Sequence, residues 1–407
     1  MICGLLGRKL GHSYSPQIHA ELGSYTYQLF EKEPEDLEGF LKSGQFNGLN
    51  VTVPYKKAVI PYLDKLSPRA QALGAVNTIV RRDGKLIGHN TDYFGFEQML
   101  LQSGLNVNGK KVLVLGSGGA SNTVVAVLQE QNAQVVVISR SGENNYQNLD
   151  LHADARVIVN TTPVGMYPDT EHSPIHIDAF PHLEGVLDVI YNPARTALLL
   201  QAEKRGLVTA NGLYMLVAQA AEASQWFTGN PVPQGKIEEI YKKLRQQMEN
   251  ILLIGMPGSG KSSVGRYLAE RTGKIFVDAD EQIVELAGKS IPEIFSQDGE
   301  QVFRDWESKA LAELGKQSGL VIATGGGCVT RTDNYRLLHQ NGVIFCLDRN
   351  IDQLPVDGRP LSQGGKMEEM YAVRKPLYDQ FADYHIDCNG TIQSAAEEIL
   401  KIWEEMS

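Results

Sequence analysis

The sequence predicts an α/β protein with an N-terminal α/β lobe, a dinucleotide-binding lobe and a phosphate-loop domain. Three observations predict it. Short apolar runs alternate with helix-compatible runs along the chain, as in layered α/β folds. A glycine-rich turn, Gly116-Ser-Gly118-Gly119-Ala-Ser121, follows the apolar run Val112–Leu115 and precedes a helix-like stretch. A second, Gly255-Met-Pro-Gly-Ser-Gly-Lys-Ser262, follows Ile251–Ile254 and precedes the helix-compatible Ser263–Arg271. A strand, a glycine loop and a helix N-terminus in series form a phosphate cradle, because free backbone N–H groups converge there.

The chain has 407 residues, too many for one ordinary core, so two or three domains are expected. Hydrophobic residues make up 42% and charged residues 21%, the balance of a soluble globular protein. No apolar run reaches the length of a membrane span. Met1–Gly7 lacks a basic stretch followed by a long apolar one, so no export signal is expected. The four cysteines lie far apart with no C-x-x-C pair, which reads as reduced thiols in a cytoplasmic protein. Residues 1–248 carry 22 Lys and Arg against 23 Asp and Glu, and residues 249–407 carry 16 against 25. An acidic phosphate-loop domain is a poor nucleic-acid binder. The nine histidines show no metal-ligand spacing, and Pro174 between His172 and His176 argues against one helix face.

In residues 1 to about 95, strands are expected at Ile2–Leu6, Tyr25–Phe30, Leu49–Val53 and Val76–Arg81. Asp83-Gly84 between two apolar stretches reads as a type I′ hairpin turn. Three polar clusters stand out. Gly11–Pro16 places Ser13 and Ser15 just before a helix opened by Pro16. Asn50–Lys56 ends a strand with Thr52 and Lys56, and Asn77 and Asp92 add an amide and a carboxylate. Each cluster alone also reads as caps, turns and solvated charges. Together they suit a polyhydroxylated carboxylic acid, which needs short hydroxyl and amide donors and one cation.

These clusters read G-H-S-x-S-P, N-V-T-x-P-x-K, G-A-V-N-T and N-T-D, and the chain resembles shikimate dehydrogenase from its start to about residue 246. The resemblance implies that Ser13, Ser15, Thr52, Lys56, Asn77, Asp92 and Gln219 surround shikimate, with Lys56 and Asp92 as the catalytic pair. The chemistry fits. Ketone reduction needs a proton on oxygen, and an ammonium held by a carboxylate is a positioned donor that also stabilises a developing alkoxide.

From about 96 to 215, the turn after Val112–Leu115 reads as a Rossmann fingerprint, with Gly116, Gly118, Gly119 and Ala120 facing a cofactor. Ser121 replaces the third glycine but is still small enough for close packing. The next strand ends in Ser139-Arg140, where an acidic residue would take the ribose of NAD. Arg140 suits the 2′-phosphate of NADP(H); the bland alternative is a solvated surface arginine. The loops Asn160–Met166 and Tyr191–Pro193 are similar to those the family places near the nicotinamide, which makes Tyr191 a cofactor contact. A strand is expected at Leu187–Ile190. Tyr214 stands where the family carries a smaller residue or proline, which puts local packing near the cofactor in question.

Only Met248-Glu-Asn250 lies between a helix and the next strand, so no flexible linker separates the two halves. In the phosphate loop, Gly258, Ser259, Gly260, Lys261, Ser262 and Ser263 would hold ATP, with Ser262 on Mg²⁺. Asp278 and Asp280 end a strand two residues apart, so one carboxylate can serve Mg²⁺ while the other holds or deprotonates a substrate hydroxyl. Phe303-Arg304-x-x-Glu307, Gly325-Gly326-Gly327, Gly358-Arg359-Pro-Leu361 and Arg374-Lys-Pro-Leu-Tyr378 follow. This set resembles shikimate kinase across the whole segment. It implies a nucleoside-monophosphate-kinase-like parallel sheet in which Asp280, Arg304, Gly326, Gly327 and Arg374 bind shikimate. Arg359 would lie on a lid over the phosphates and act with Lys261, and Asp278 would join Ser262 at Mg²⁺. The lid stretch before Arg359 is short and contains Pro355, no second arginine lies just before Arg359, and Lys375 replaces an acid.

The expected domains are a substrate lobe of residues 1–95 with 220–248 returning to it, an NADP lobe of 96–219 and a kinase domain of 249–407. The expected function is a cytoplasmic bifunctional enzyme of aromatic amino-acid biosynthesis, acting as a monomer or homodimer on small molecules, with neither nucleic acid nor membrane as partner. Two rivals stand: a dehydrogenase that also takes quinate, and a kinase-like half that only senses shikimate. Retention of Lys56, Asp92, Lys261, Asp278, Asp280 and Arg359 argues against a sensor, which has no need of them.

Overall fold

The computed structural model describes residues 1–11, 13–233, 235–354 and 366–406. Arg359, with Pro355 and the rest of residues 355–365, lies outside the described residues.

The first sheet contains β1 (Ile2–Gly7), β2 (Thr26–Glu31), β3 (Gly48–Val51), β4 (Lys65–Leu66), β5 (Thr78–Arg82) and β6 (Lys85–His89). Its order is β2-β1-β3-β5-β6-β4. β1 runs parallel to β2 and β3, whereas β5 is antiparallel to both β3 and β6. The β5–β6 turn has φ of 49° at Asp83 and 77° at Gly84, the two positive values a type I′ turn requires.

The second sheet is wholly parallel: β7 (Lys111–Leu115), β8 (Gln134–Ile138), β9 (Val157–Asn160), β10 (Gly185–Asp188) and β11 (Val208–Ala210). The order β11-β10-β9-β7-β8 reverses direction between β7 and β9, and ligands bind in the crevice at such a reversal. β10 begins and ends two residues before the expected Leu187–Ile190. The Asp188 carboxylate accepts the Ile190 N–H at 3.0 Å and ends the ladder there.

The third sheet is also parallel: β12 (Asn250–Ile254), β13 (Ile275–Asp278), β14 (Leu320–Ala323), β15 (Gly342–Asp348) and β16 (Tyr384–Asp387), in the order β13-β14-β12-β15-β16. Helices cover both faces, so its strands read as unbroken apolar runs. Leu252, Ile254, Ile322 and Ile344 point into one core, and Ile251, Leu253, Val321 and Val343 into the other.

The expected lobe boundaries at 95/96 and 219/220 fall inside continuous helices, Asp92–Ser103 and Leu213–Thr228. The reason is close packing between the two. A Cβ on Gly95 would sit 2.7 Å from the Met215 carbonyl oxygen, so glycine is what permits the approach. By compactness the chain divides into two units. One comprises Met1–Gly165, His172–Tyr191 and Gln201–Lys242; the other comprises Met166–Glu171, Asn192–Leu200 and Lys243–Ser407. Within the second unit, the Ala194 N–H donates to Asn341 Oδ1 at 2.7 Å, and the Arg195 N–H to the Gln340 carbonyl at 2.8 Å. The helix Lys236–Met248 is followed after one residue by β12. All four cysteines are free and buried. Among the described residues no helix is long and apolar enough to cross a membrane.

Candidate functional site

In the first unit a cavity of about 350 Å³ gathers residues from widely separated stretches. Its walls include Ser13, Ser15, Thr52, Lys56, Asn77, Asp92 and Gln219, with Tyr191 and Ala120 at its edge toward the second sheet. The Lys56 ammonium, on the short helix Tyr55–Ala58, donates to Asp92 Oδ2 at 2.6 Å. Asp92 opens the helix Asp92–Ser103, where the free N–H groups of a first turn favour a carboxylate.

A buried network fixes this geometry. Thr91 donates its N–H to Asn77 Oδ1 at 2.7 Å, and the Asn77 amide donates to Thr91 Oγ1 at 3.1 Å. The Thr91 hydroxyl reaches Gln219 Oε1 at 3.4 Å. Asn50 accepts from the Tyr27 hydroxyl at 2.7 Å and donates to Thr78 at 3.2 Å. Asn50 lines the cavity and is absent from the site residues expected above. Its place inside the N-V-T-x-P-x-K stretch was the available signal.

Beside this cavity, β7 ends at the turn to the helix Gly119–Glu130, with Gly118 as N-cap. Gly116 has φ +102°, and a Cβ there would lie 2.9 Å from Thr161 Oγ1, at the end of β9. The helix N-terminus and the crevice between β7 and β9 thus meet at one point, which fits a pyrophosphate. Ser139 and the exposed Arg140 follow the end of β8. Tyr214 packs toward the helix Lys236–Met248, its ring 5.0 Å from that of Tyr241 in a T-shaped pair.

A second cavity of about 570 Å³ in this unit is lined by Arg69, His89, Tyr93, Glu130, Glu222 and Trp226 among others. Glu222 Oε2 is buried and without a hydrogen-bond partner among the described residues. Burial pushes its carboxyl from an ordinary 4.5 up to about 7, against the pull of Arg69. A raised folded pKa means that this group's contribution is intact below pH 4.5 and is lost as pH rises through about 7. Glu222→Gln removes that penalty. Its stability gain over the parent should grow between pH 5 and pH 8 to about 2 kcal/mol, discounted for partial exposure. Thermal melts at both pH values check this; an equal shift at the two would reject it.

In the second unit a cavity of about 650 Å³ lies at the C-terminal ends of β12, β13 and β14. The phosphate loop takes φ of +89° at Gly258 and +102° at Gly260, and the helix Lys261–Thr272 begins directly after. Lys261 is buried, and its ammonium donates to the carbonyls of Gly255 and Met256, both at 2.9 Å. Ser259 is buried in the loop, and Ser263 is exposed on the first turn of the helix. The Ser262 hydroxyl donates to Asp278 Oδ2 at 2.8 Å, a hydroxyl and carboxylate placed for a hard cation. Asp278 also caps the helix Ala279–Ala287 by accepting the Asp280 N–H.

Asp280 Oδ1 is buried with no partner among the described residues. Burial first, then the Asp278 charge, raises its carboxyl above the ordinary value, against Lys261 and Arg304. Arg304 is held by Glu307 Oε2 at 2.7 Å and Glu300 Oε1 at 3.2 Å. Arg374 donates to the Gly326 carbonyl at 3.0 Å, as does the Tyr378 hydroxyl at 2.5 Å. Gly327 lies against Arg304: a Cβ there would be 2.2 Å from Nη1. Two arginines and a carboxylate with an open oxygen therefore converge on one wall, ready for a ligand bearing a carboxylate and hydroxyls. Glu307 is the residue that expectation left out. Its i, i+3 spacing from Arg304 in the F-R-x-x-E stretch was the signal for it.

Residues 5–79 match the family model described as shikimate dehydrogenase substrate binding domain, and residues 257–404 match that described as shikimate kinase. The shikimate dehydrogenase (NADP(+)) of Clostridium perfringens is 37% identical over 264 residues, 60% of this chain and 97% of that protein. A solved chorismate mutase/shikimate 5-dehydrogenase fusion from Clostridium acetobutylicum is 35% identical at a TM-score of 0.58, covering 60% of this chain and 97% of that one. The shikimate 5-dehydrogenase of Thermus thermophilus, solved with NADP(H) and shikimate, is 34% identical at a TM-score of 0.55, covering 60% and 99%. The chain therefore belongs to the shikimate dehydrogenase family and carries a shikimate kinase domain in its C-terminal part.

Proposed function

We propose that the chain reduces 3-dehydroshikimate to shikimate with NADPH and then phosphorylates the shikimate 3-hydroxyl with MgATP. The observation that carries this reading is a pair of cavities of matching chemistry. Each holds one or more cations and several hydroxyl, amide or carboxylate groups suited to the same small polyhydroxy acid.

In the first cavity Ser13, Ser15, Thr52, Asn77 and Gln219 orient the ring by its hydroxyls and carboxylate. Lys56, held by Asp92, supplies the proton to the ketone oxygen. NADPH supplies the hydride when bound along Gly116, Gly118, Gly119 and Ala120, with Tyr191 beside the transfer point. Ser139 and Arg140 take the 2′-phosphate. Arg140→Ala should raise the KM for NADPH about 10–100-fold and leave that for NADH little changed, since one charge-assisted pair is worth about 1.5–3 kcal/mol. Steady-state kinetics with both nucleotides check this, and equal losses with the two would remove Arg140 from the phosphate site.

In the second cavity Arg304 and Arg374 fork the shikimate carboxylate, and the Gly326–Gly327 backbone lies along the ring. Asp280, with its raised carboxyl and open Oδ1, accepts the proton of the attacking hydroxyl. The phosphate loop, from Gly258 through Ser263, positions ATP, with Lys261 against the transferring charge. Ser262 and Asp278 would hold Mg²⁺, which would neutralise phosphate charge. Arg359 is assigned to the same charge from the sequence.

The test is a coupled assay on the purified chain with 3-dehydroshikimate, NADPH, ATP and Mg²⁺, following NADPH loss and shikimate 3-phosphate together. Matched signals support both activities. NADPH loss with accumulating shikimate would leave the kinase half without its proposed role.

A further inference from the structure

Among residues that do not line the nucleotide cavity, β15 and β16 pair in parallel with Cys346 in register with His385. Side chains two apart on a strand share a face, so Cys346 and Asp348 stand together, and the register brings His385 beside them. Cys346 Sγ lies 3.6 Å from Asp348 Oδ1. His385 Nδ1 lies 2.7 Å from Asp348 Oδ2. One ligand atom from each of the three lies within 4.8 Å of the other two. Sequence spacing hides this trio, because the histidine comes from a different strand.

We propose that Cys346, Asp348 and His385 form a binding site for a borderline-soft divalent transition metal of the Zn²⁺ class. The donor set is one thiolate, one imidazole nitrogen and one carboxylate oxygen, a combination that suits Zn²⁺ and not Mg²⁺ or Ca²⁺. The spacing suits it as well. Bonds of about 2.3 Å to sulfur and about 2.1 Å to oxygen make a tetrahedral S–O edge of about 3.6 Å. That is the separation of Cys346 Sγ and Asp348 Oδ1. The His385 Nδ1 contact is a hydrogen bond to the other carboxylate oxygen, Oδ2, so a metal held through Oδ1 breaks it: the imidazole proton sits on Nε2, and the ring shifts until Nδ1 is about 3.4 Å from Oδ1. Both side chains are more than a third exposed, at 39% and 38%, so they are free to open.

A second observation points the same way. His385 Nε2 lies 3.4 Å from Asp379 Oδ1 on the helix Lys366–Phe381, and Asp379 is itself paired with Lys375. A carboxylate behind a ligating imidazole keeps the proton on the far nitrogen and presents the near one to the metal. Lys375, the departure from the kinase pattern noted above, thereby acquires a place in the arrangement. Coordination expels the Cys346 thiol proton to solvent as the metal–sulfur bond forms, with no change of oxidation state.

The experiment titrates the full chain with Co²⁺ under excess Mg²⁺, which keeps the phosphate-loop site occupied. The expected result is one near-ultraviolet thiolate-to-Co²⁺ charge-transfer band saturating at one ion per chain and displaced by Zn²⁺. Cys346→Ser should abolish the band. Asp379→Asn and His385→Asn, at partly exposed positions that leave the core intact, should each weaken binding by about 10-fold or more. Absence of a thiolate band in the parent, or its persistence in Cys346→Ser, would overturn the proposal and leave the trio a metal-free hydrogen-bonded cluster. Neither result bears on the two proposed activities, since these residues do not line the nucleotide cavity.

Discussion

Lys56→Met lowers the turnover of 3-dehydroshikimate reduction by about 10²–10⁴-fold and leaves shikimate phosphorylation at its parental rate. The expectation rests on the 2.6 Å contact between the Lys56 ammonium and Asp92, in a cavity whose other polar side chains are neutral hydroxyls and amides. No other cation among the described residues lines that cavity, so nothing nearby can replace the proton donor. Methionine keeps most of the side-chain stem, so the cavity keeps its shape. Asp92→Asn should give a smaller loss, because it leaves the ammonium in place but less firmly held. The check is kcat and KM for both activities on one preparation. Ordering lysine only for binding would raise KM and spare kcat, and that outcome would reject the assignment of proton transfer.

Lys261→Met should have the mirror effect, lowering phosphoryl transfer by about 10³-fold or more while reduction proceeds normally. Lys261 is buried at the base of the phosphate loop, with its ammonium anchored by two loop carbonyls. A cation held this way needs little reorganisation as charge develops on the transferring group, which is where electrostatic catalysis gains most. Removing it also frees the Gly255 and Met256 carbonyls, so a melting curve should accompany the kinetics. A kcat that falls by less than about 10-fold in a normally melting variant would argue that other residues supply the charge. Because each variant carries the other activity as an internal control, general misfolding is separated from loss of chemistry.

Much of this protein is legible in its sequence. Gly255–Ser262 and Gly116–Ser121 require glycine where φ is positive or the backbone approaches closely, and each leads directly into a helix N-terminus. Such requirements act over a few residues, so the chain states them locally. The same holds for the Asp83-Gly84 turn and for the apolar runs of the doubly covered third sheet. The Asp278–Asp280 pair is legible too, because a strand end and a helix cap lie within three residues.

Other features depend on which strands become neighbours. Lys56 and Asp92 are 36 residues apart, and only the first sheet and the helix Asp92–Ser103 bring them into contact. The open oxygen of Asp280 and the raised carboxyl of Glu222 follow from burial by distant elements, which residue identity does not encode. The lobe boundaries expected at 95/96 and 219/220 failed to mark element ends because Gly95 lets two helices pack along their length. The trio of Cys346, Asp348 and His385 exists only through the parallel register of β15 and β16. Sequence by itself thus determined the glycine-rich strand–loop–helix turns and the hairpin turn, since these obey local backbone geometry, and it named the candidate residue types. Tertiary structure alone decided their distances, burial and charge states, since those arise from long-range packing and sheet register.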